Sequence, residues 1–316
     1  MDWTDRHCRY FHRCLSAQTL LYTEMVTASA VLHGDSNRLL RFDPLEHPVA
    51  LQLGGSDPCD LATATEIAVA HGYDEVNLNV GCPSDRVQSG AFGAVLMKSP
   101  ELVQDCVAAM LSAAKDVPVT VKCRIGIDDQ TPDTVLPGFL EKVAAAGVGR
   151  VIIHARKALL DGLSPKENRT VPPLNYPLVV EMKQSFPHLN ISINGGIGSL
   201  QQAQSLLATG LDGVMIGRAA YHDPAGILLT ADPDIFGKPP TATTAEDAVL
   251  RMLPYIETEC TTGTRLNAIT RHMLGVFAGR PGARAWRRYL SENAHLPGAG
   301  PETVRSALAL LGEQAA

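Results

Sequence analysis

No run of about 18 or more apolar residues occurs anywhere in the 316-residue chain, so it carries no candidate membrane-spanning helix. No basic-then-apolar leader opens it, which argues against a signal peptide. Cysteines are few: there are 7, an odd number, and no two form a Cys-x-x-Cys pair. That speaks against a disulfide framework or a zinc site and predicts a protein of the reducing cytoplasm. Aromatics make up only 5%, and neither a fixed-period repeat nor a low-complexity tract is visible. What remains is globular material, 45% apolar and 19% charged, with core enough for one large domain and a smaller one.

The net charge of −6 is unevenly spread. Residues 1–238 hold 19 Lys and Arg against 26 Asp and Glu, whereas residues 239–316 hold 8 against 7. Within the second part, Thr264 to Leu290 carries Arg265, Arg271, Arg280, Arg284, Arg287 and Arg288 and no acid. A solvated helix face is the common meaning of such a run. An acid-free stretch of 27 residues on an acidic protein reads instead as a basic patch suited to nucleic acid.

Strand-like and helix-like segments alternate through the first three quarters. The strands are predicted at Thr19–Val26, Val49–Gly54, Glu75–Cys82, Val117–Arg124, Arg150–Arg156, Asn190–Ile197 and Gly213–Arg218. Amphipathic segments such as Asp60–His71, Pro100–Lys115 and Asp133–Ala146 separate them. The pattern predicts an α/β fold, a (β/α)8 TIM-type barrel that lacks its first strand in this chain. A helix-like piece, Asp5 to Leu15, comes first with no strand before it. Phe236-Gly237-Lys238-Pro239-Pro240 reads as a linker, giving a barrel domain over 1–238 and a C-terminal helical bundle over 239–316. Helical spacing there covers Ala245–Cys260, Arg265–Ala278, Ala283–Asn293 and Glu302–Leu311.

The run Asn77 to Ser84 is the most informative segment. Val76, Leu78 and Val80 alternate with Asn77 and Asn79, and the strand then delivers Cys82, Pro83 and a small-residue loop from Asp85 to Ala94. Amides inside a sheet are costly unless paired. Read with period two, Gln52, Asn79, Lys122, His154 and Asn194 all fall late on the inner face, where barrel active sites lie. One such residue is usually a satisfied core polar group; five in one layer point to a site. Asn194-Gly195-Gly196 and Gly217-Arg218 end the last two strands, where bare turn amides and a cation can cradle a phosphate. A phosphorylated cofactor with a large polar ring, FMN, suits this set: Gln52 for the ring edge, Lys122 for negative charge on the reduced ring, His154 for phosphate or ribityl oxygens. An ordinary thiol such as Cys82 is mostly protonated at neutral pH and can give a proton, although an inert buried thiol is the usual fate of a cysteine.

These segments, together with Asp2-Trp3-Thr4-Asp5-Arg6, Leu51-Gln52-Leu53-Gly54-Gly55, Val121 to Gly126, His154-Ala155-Arg156-Lys157, Leu163 to Arg169 and Pro281 to Tyr289, resemble the tRNA-dihydrouridine synthases over nearly the whole chain. They are most similar to the A-type bacterial members, which reduce uridines 20 and 20a of the D-loop. The resemblance implies that NADPH reduces bound FMN, that hydride goes to C6 of a uracil flipped out of the RNA, and that Cys82 protonates C5. It implies flavin contacts at Gln52, Lys122, His154, Asn194, Gly195, Gly196, Gly217 and Arg218, and tRNA contacts at Asn79, Lys166, Arg169, Arg284 and Arg287. The family carries a Pro-Met-Met-type flavin motif at the end of its first strand, and Met1 stands where the last residue of that motif belongs. The expectation is therefore an in-frame upstream extension supplying that strand, without which the chain holds little FMN or aggregates. A monomer free of membranes is expected. Two rivals remain: a free-pyrimidine flavin oxidoreductase, which would not need the arginine-rich tail, and a truncated tRNA-binding protein without activity.

Overall fold

The computed structural model describes residues 3–84 and 90–313. Met1, expected from the resemblance to touch flavin, and residues 85–89 of the loop after Cys82 lie outside the described residues.

Seven strands form one parallel sheet in the order β1 (Leu21–Thr27), β2 (Val49–Gly54), β3 (Glu75–Val80), β4 (Val119–Arg124), β5 (Arg150–His154), β6 (Asn190–Asn194) and β7 (Gly213–Met215). All seven coincide with the predicted segments, and the sheet curls into a half-barrel with β1 and β7 at its edges. Helices Pro58–Ala70, Pro100–Ala114, Pro132–Ala145, Tyr176–Ser185 and Leu200–Leu207 connect successive strands on the outside. Their starts are written in the sequence. Asp57 accepts hydrogen bonds from Cys59 N and Asp60 N ahead of Pro58, Asn175 from Leu178 N ahead of Pro177, and Ser199 from Gln202 N.

The two faces of the sheet differ completely. Leu51, Leu53, Val76, Leu78, Val121, Val151, Ile153, Ile191 and Ile193 point outward into the helices and are wholly buried in the main core. Each such side chain contributes roughly 1.5–3 kcal/mol. The alternate residues point inward and are mostly polar. Register sets Gln52 beside Asn77 and Asn77 beside Thr120 in one row, Asn79 beside Lys122 in the next, and His154 beside Asn194 near the carboxyl ends.

A second core unites both ends of the chain. Phe11, Cys14 and Leu15 of helix Arg6–Leu15 are buried with Val249, Ile256, Trp286, Leu290 and Val304. Asp5 begins that helix by accepting from His7 N and Cys8 N, and it also pairs with Arg271 at 2.6 Å and His272 at 3.0 Å. Two predicted helices of this region are shorter than their periodicity implied. Ala245–Cys260 is split into Ala245–Arg251 and Leu253–Thr261, because Pro254 has no N–H to continue a helix. Arg265–Ala278 is helical only over Leu266–Thr270; beyond it, Gly275 runs so close to the barrel that a Cβ would stand 2.2 Å from the His222 carbonyl oxygen. No helix among the described residues is long and apolar enough to cross a membrane.

Candidate active site

Cys82 stands two residues past the end of β3. The Asn79 side-chain oxygen turns the backbone there by accepting from Gly81 N at 3.0 Å and Cys82 N at 2.9 Å. The Cys82 thiol is half-buried, with Sγ 3.6 Å from Ser84 Oγ. Cys14, Cys106 and Cys123 are buried instead, and burial pushes their thiols up to about 12.

Gln52 is tied into the same corner. Its Oε1 accepts from Asn79 Nδ2 at 2.7 Å, and its Nε2 donates to Asn77 Oδ1 at 2.9 Å. Asn79, implied by the resemblance as an RNA contact, thus spends its oxygen on two backbone amides and one N–H on Gln52. A single N–H is left for a ligand.

Around His154 the charge is positive. Lys122, Arg124, Arg156 and Arg169 all act on the imidazole, and burial first, then these cations, push its pKa far below the usual range. His154 is therefore neutral, with one ring nitrogen a donor and the other an acceptor. Its Nδ1 is buried without a hydrogen-bond partner among the described residues, and so is Arg156 Nε. Burial, then the Arg124 charge, lowers the Lys122 ammonium to about 8. Gly195 passes directly over the imidazole at φ +111°, where a Cβ would sit 3.2 Å from the ring, so only glycine fits. Asn194 Nδ2 donates to the Met215 carbonyl at 2.8 Å, which binds β6 to β7 just before the Gly217 turn.

Arg218 opens the short helix Arg218–His222 and donates to the Arg169 carbonyl at 3.1 Å, joining the loop after β5 to the turn after β7. Lys166 and Arg169 are exposed on that loop, whose shape is set by Asn168: its Oδ1 accepts from Leu159 N and its Nδ2 donates to the Leu159 and Leu163 carbonyls. Arg124 was missed as a site residue although it stands in a conspicuous motif. It is 3% exposed and donates to the carbonyls of Gly81, Lys157 and Asn168, clamping the cysteine turn to the β5 loop. Its signal was its position: two residues after Lys122 on the same face of β4.

Arg284 and Arg287 lie apart from this cluster in the chain, exposed on helix Ala283–Asn293 of the second core. The acid-free window around them is not acid-free in space. Arg271 pairs with Asp5, Arg280 with Glu246 and Arg288 with Glu292. Among the described residues Arg265, Arg284 and Arg287 have no carboxylate partner.

A parallel half-barrel that gathers amides, cations and a half-buried thiol at the carboxyl ends of its strands has the layout of a TIM-barrel enzyme. The solved structure of morphinone reductase in complex with tetrahydroNAD shares this fold, with a TM-score of 0.51 at 12% identity over 75% of this chain and 83% of that one. In sequence, the family described as dihydrouridine synthase (Dus) matches residues 1–310. The tRNA-dihydrouridine(20/20a) synthase of Vibrio cholerae is 57% identical over 315 residues, 99% of this chain and 95% of that protein. The proteins of the same name from Shewanella oneidensis and Escherichia coli K12 are 58% identical over 307 residues (97% and 90%) and 57% over 315 (99% and 90%). The chain belongs to the dihydrouridine synthase family.

Proposed function

We propose that this protein reduces uridine to 5,6-dihydrouridine in tRNA, at positions 20 and 20a of the D-loop, with FMN as cofactor and NADPH as reductant. The reading rests above all on end-to-end similarity to enzymes of that name, joined to a half-buried thiol beside a cation-lined, amide-rich barrel end.

The residues present suit a flavin phosphate. The unpartnered His154 Nδ1 and Arg156 Nε, the bare backbone at Gly195 and Gly196, and the cation of Arg218 would hold phosphate and ribityl oxygens. Gln52 would meet the ring edge and Lys122 its electron-rich side. When bound, FMN would supply hydride, drawn from NADPH, to C6 of the uracil. Cys82 gives its proton to C5, so hydride and proton together saturate the C5–C6 double bond, and solvent returns a proton to the thiolate. The free N–H of Asn79 orients the base. Lys166 and Arg169 at the mouth, with Arg284 and Arg287 on the tail helix, hold RNA phosphates while the target base leaves its stack. The chain works as a monomer in the cytoplasm.

Mapping dihydrouridine in tRNA from cells with and without the gene tests this. Loss confined to positions 20 and 20a is expected; an unchanged map refutes it. Turnover of free uracil by purified protein lacking the tail would favour the free-pyrimidine rival instead.

A further inference from the structure

Beneath the site, the inward faces of β2, β3 and β4 carry a chain of hydrogen bonds with a single direction. Gly81 N and Cys82 N donate to Asn79 Oδ1 at 3.0 and 2.9 Å. Asn79 Nδ2 donates to Gln52 Oε1 at 2.7 Å, Gln52 Nε2 to Asn77 Oδ1 at 2.9 Å, and Asn77 Nδ2 to Thr120 Oγ1 at 2.8 Å. Thr120 Oγ1 then donates to Glu75 Oε1 at 2.7 Å. Glu75 is 3% exposed at the amino-terminal end of β3; Tyr22 donates to the same oxygen, and Arg150 pairs with the other at 2.8 Å.

Both ends of this chain demand the same polarity. A carboxylate only accepts, so Thr120 must spend its one proton on Glu75 and can meet Asn77 only as an acceptor. That forces the Asn77 amide to present N–H to Thr120 and oxygen to Gln52, which forces the orientation of Gln52 and in turn of Asn79. At the other end, two backbone N–H groups independently require the Asn79 oxygen. No amide in the row can flip alone without setting donor against donor in a buried place.

We propose that Glu75 and Thr120 are positioning residues for the reaction. Through the amide chain they hold the backbone of Cys82, and with it the proton-donating thiol, and they fix which edge of the Gln52 amide faces the ligand. Neither residue touches substrate. The inference rests on the reading of Cys82 as proton donor, and it adds that the donor's placement is set from the far end of the barrel.

Three variants of the full-length protein test it: Thr120→Val, which keeps the shape and removes the relaying hydroxyl; Thr120→Ser, which keeps the hydroxyl; and Glu75→Gln, which removes the acceptor-only end. Thr120→Val is expected to lower kcat for tRNA by about 10–100-fold, the usual effect of losing a group that orients a working residue. KM for tRNA stays within about twofold, and Thr120→Ser restores kcat to within about threefold of wild type. Glu75→Gln behaves like Thr120→Val; should it fail to fold, the Thr120 pair decides. Independently of turnover, the rate of Cys82 alkylation by iodoacetamide, followed on the Cys82 peptide by mass spectrometry, is expected to change in Thr120→Val and return in Thr120→Ser. Wild-type kcat with unaltered alkylation in Thr120→Val overturns the proposal, as does a defect that Thr120→Ser does not repair. Absence of dihydrouridine formation in the wild type would refute the function, while the alkylation comparison would still decide the positioning.

Discussion

At the carboxyl end of the sheet, Lys122, Arg124, Arg156, Arg169 and Arg218 gather with no carboxylate partner among the described residues. In the tail, three arginines of the window 264–290 are paired with acids that lie just or far outside it. The first group holds positive charge around a neutral imidazole and an orphaned ring nitrogen, a costly arrangement that a ligand phosphate would relieve. The second uses Arg271 and Arg280 as staples between elements, pairs Arg288 with Glu292 inside its own helix, and leaves Arg265, Arg284 and Arg287 without a carboxylate partner among the described residues. Charge without a local answer marks where an anion goes; charge already answered marks where the fold is fastened.

The largest test of this contrast is Cys82→Ala. Dihydrouridine formation should fall by about 10²–10⁴-fold, with flavin content and NADPH-driven flavin reduction intact, because on the proposed reading only the general acid is lost. Wild-type turnover in that variant would move the chemistry away from the barrel mouth. Next comes the tail. The double variant Arg284→Ala, Arg287→Ala should weaken tRNA binding and flatten its log–log salt dependence by up to ~0.9 per lost phosphate contact, with duplex behaviour as the guide. An unaltered slope would place these two among the staples.

A smaller effect is expected from pH. Because burial lowers Lys122 to about 8, its cation is present in the free protein below that value and fades above it. Flavin affinity of the apoprotein should therefore decline as pH rises through about 8, and Lys122→Met should be weak and flat across the same range. Equal pH profiles for the two proteins would exclude the Lys122 cation as the cause. Smallest of all, Arg271→Ala, Arg280→Ala and Arg288→Ala should leave the RNA salt slope unchanged and cost about 0.2–1 kcal/mol each in urea unfolding, as partly exposed pairs do. A changed slope in any of them would erase the distinction between fastened and available arginines.

The barrel was legible because period two survives from β2 to β6, although β1 shifts register between Tyr22 and Met25. Leu51, Val76 and Val121 announce the outer face, and Gln52, Asn79, Lys122 and His154 share the inner one as expected. Register was not legible: Gln52 pairs with Asn77, one row below the Asn79–Lys122 pair, and reaches Asn79 only through its side chain. Thr120 stayed hidden because a β-branched residue in a strand is ordinary, and Glu75 because an acid at a strand's start usually faces water. The tail misled for another reason. Asp5 lies 266 residues from Arg271, and no window of local sequence sees an ion pair across that distance.

One arrangement bears on how the molecule is made. Helix Arg6–Leu15 packs against helices Pro224–Leu228 and Ala245–Arg251, which lie far along the chain. At roughly 5–20 residues per second, a ribosome needs about 10–50 s to travel from the one to the others. Throughout that interval Phe11 and Leu15, wholly buried in the finished molecule, lack those two helices as partners. The half-barrel can assemble strand by strand as it emerges, whereas one of the first helices translated is covered only by helices that follow the whole sheet.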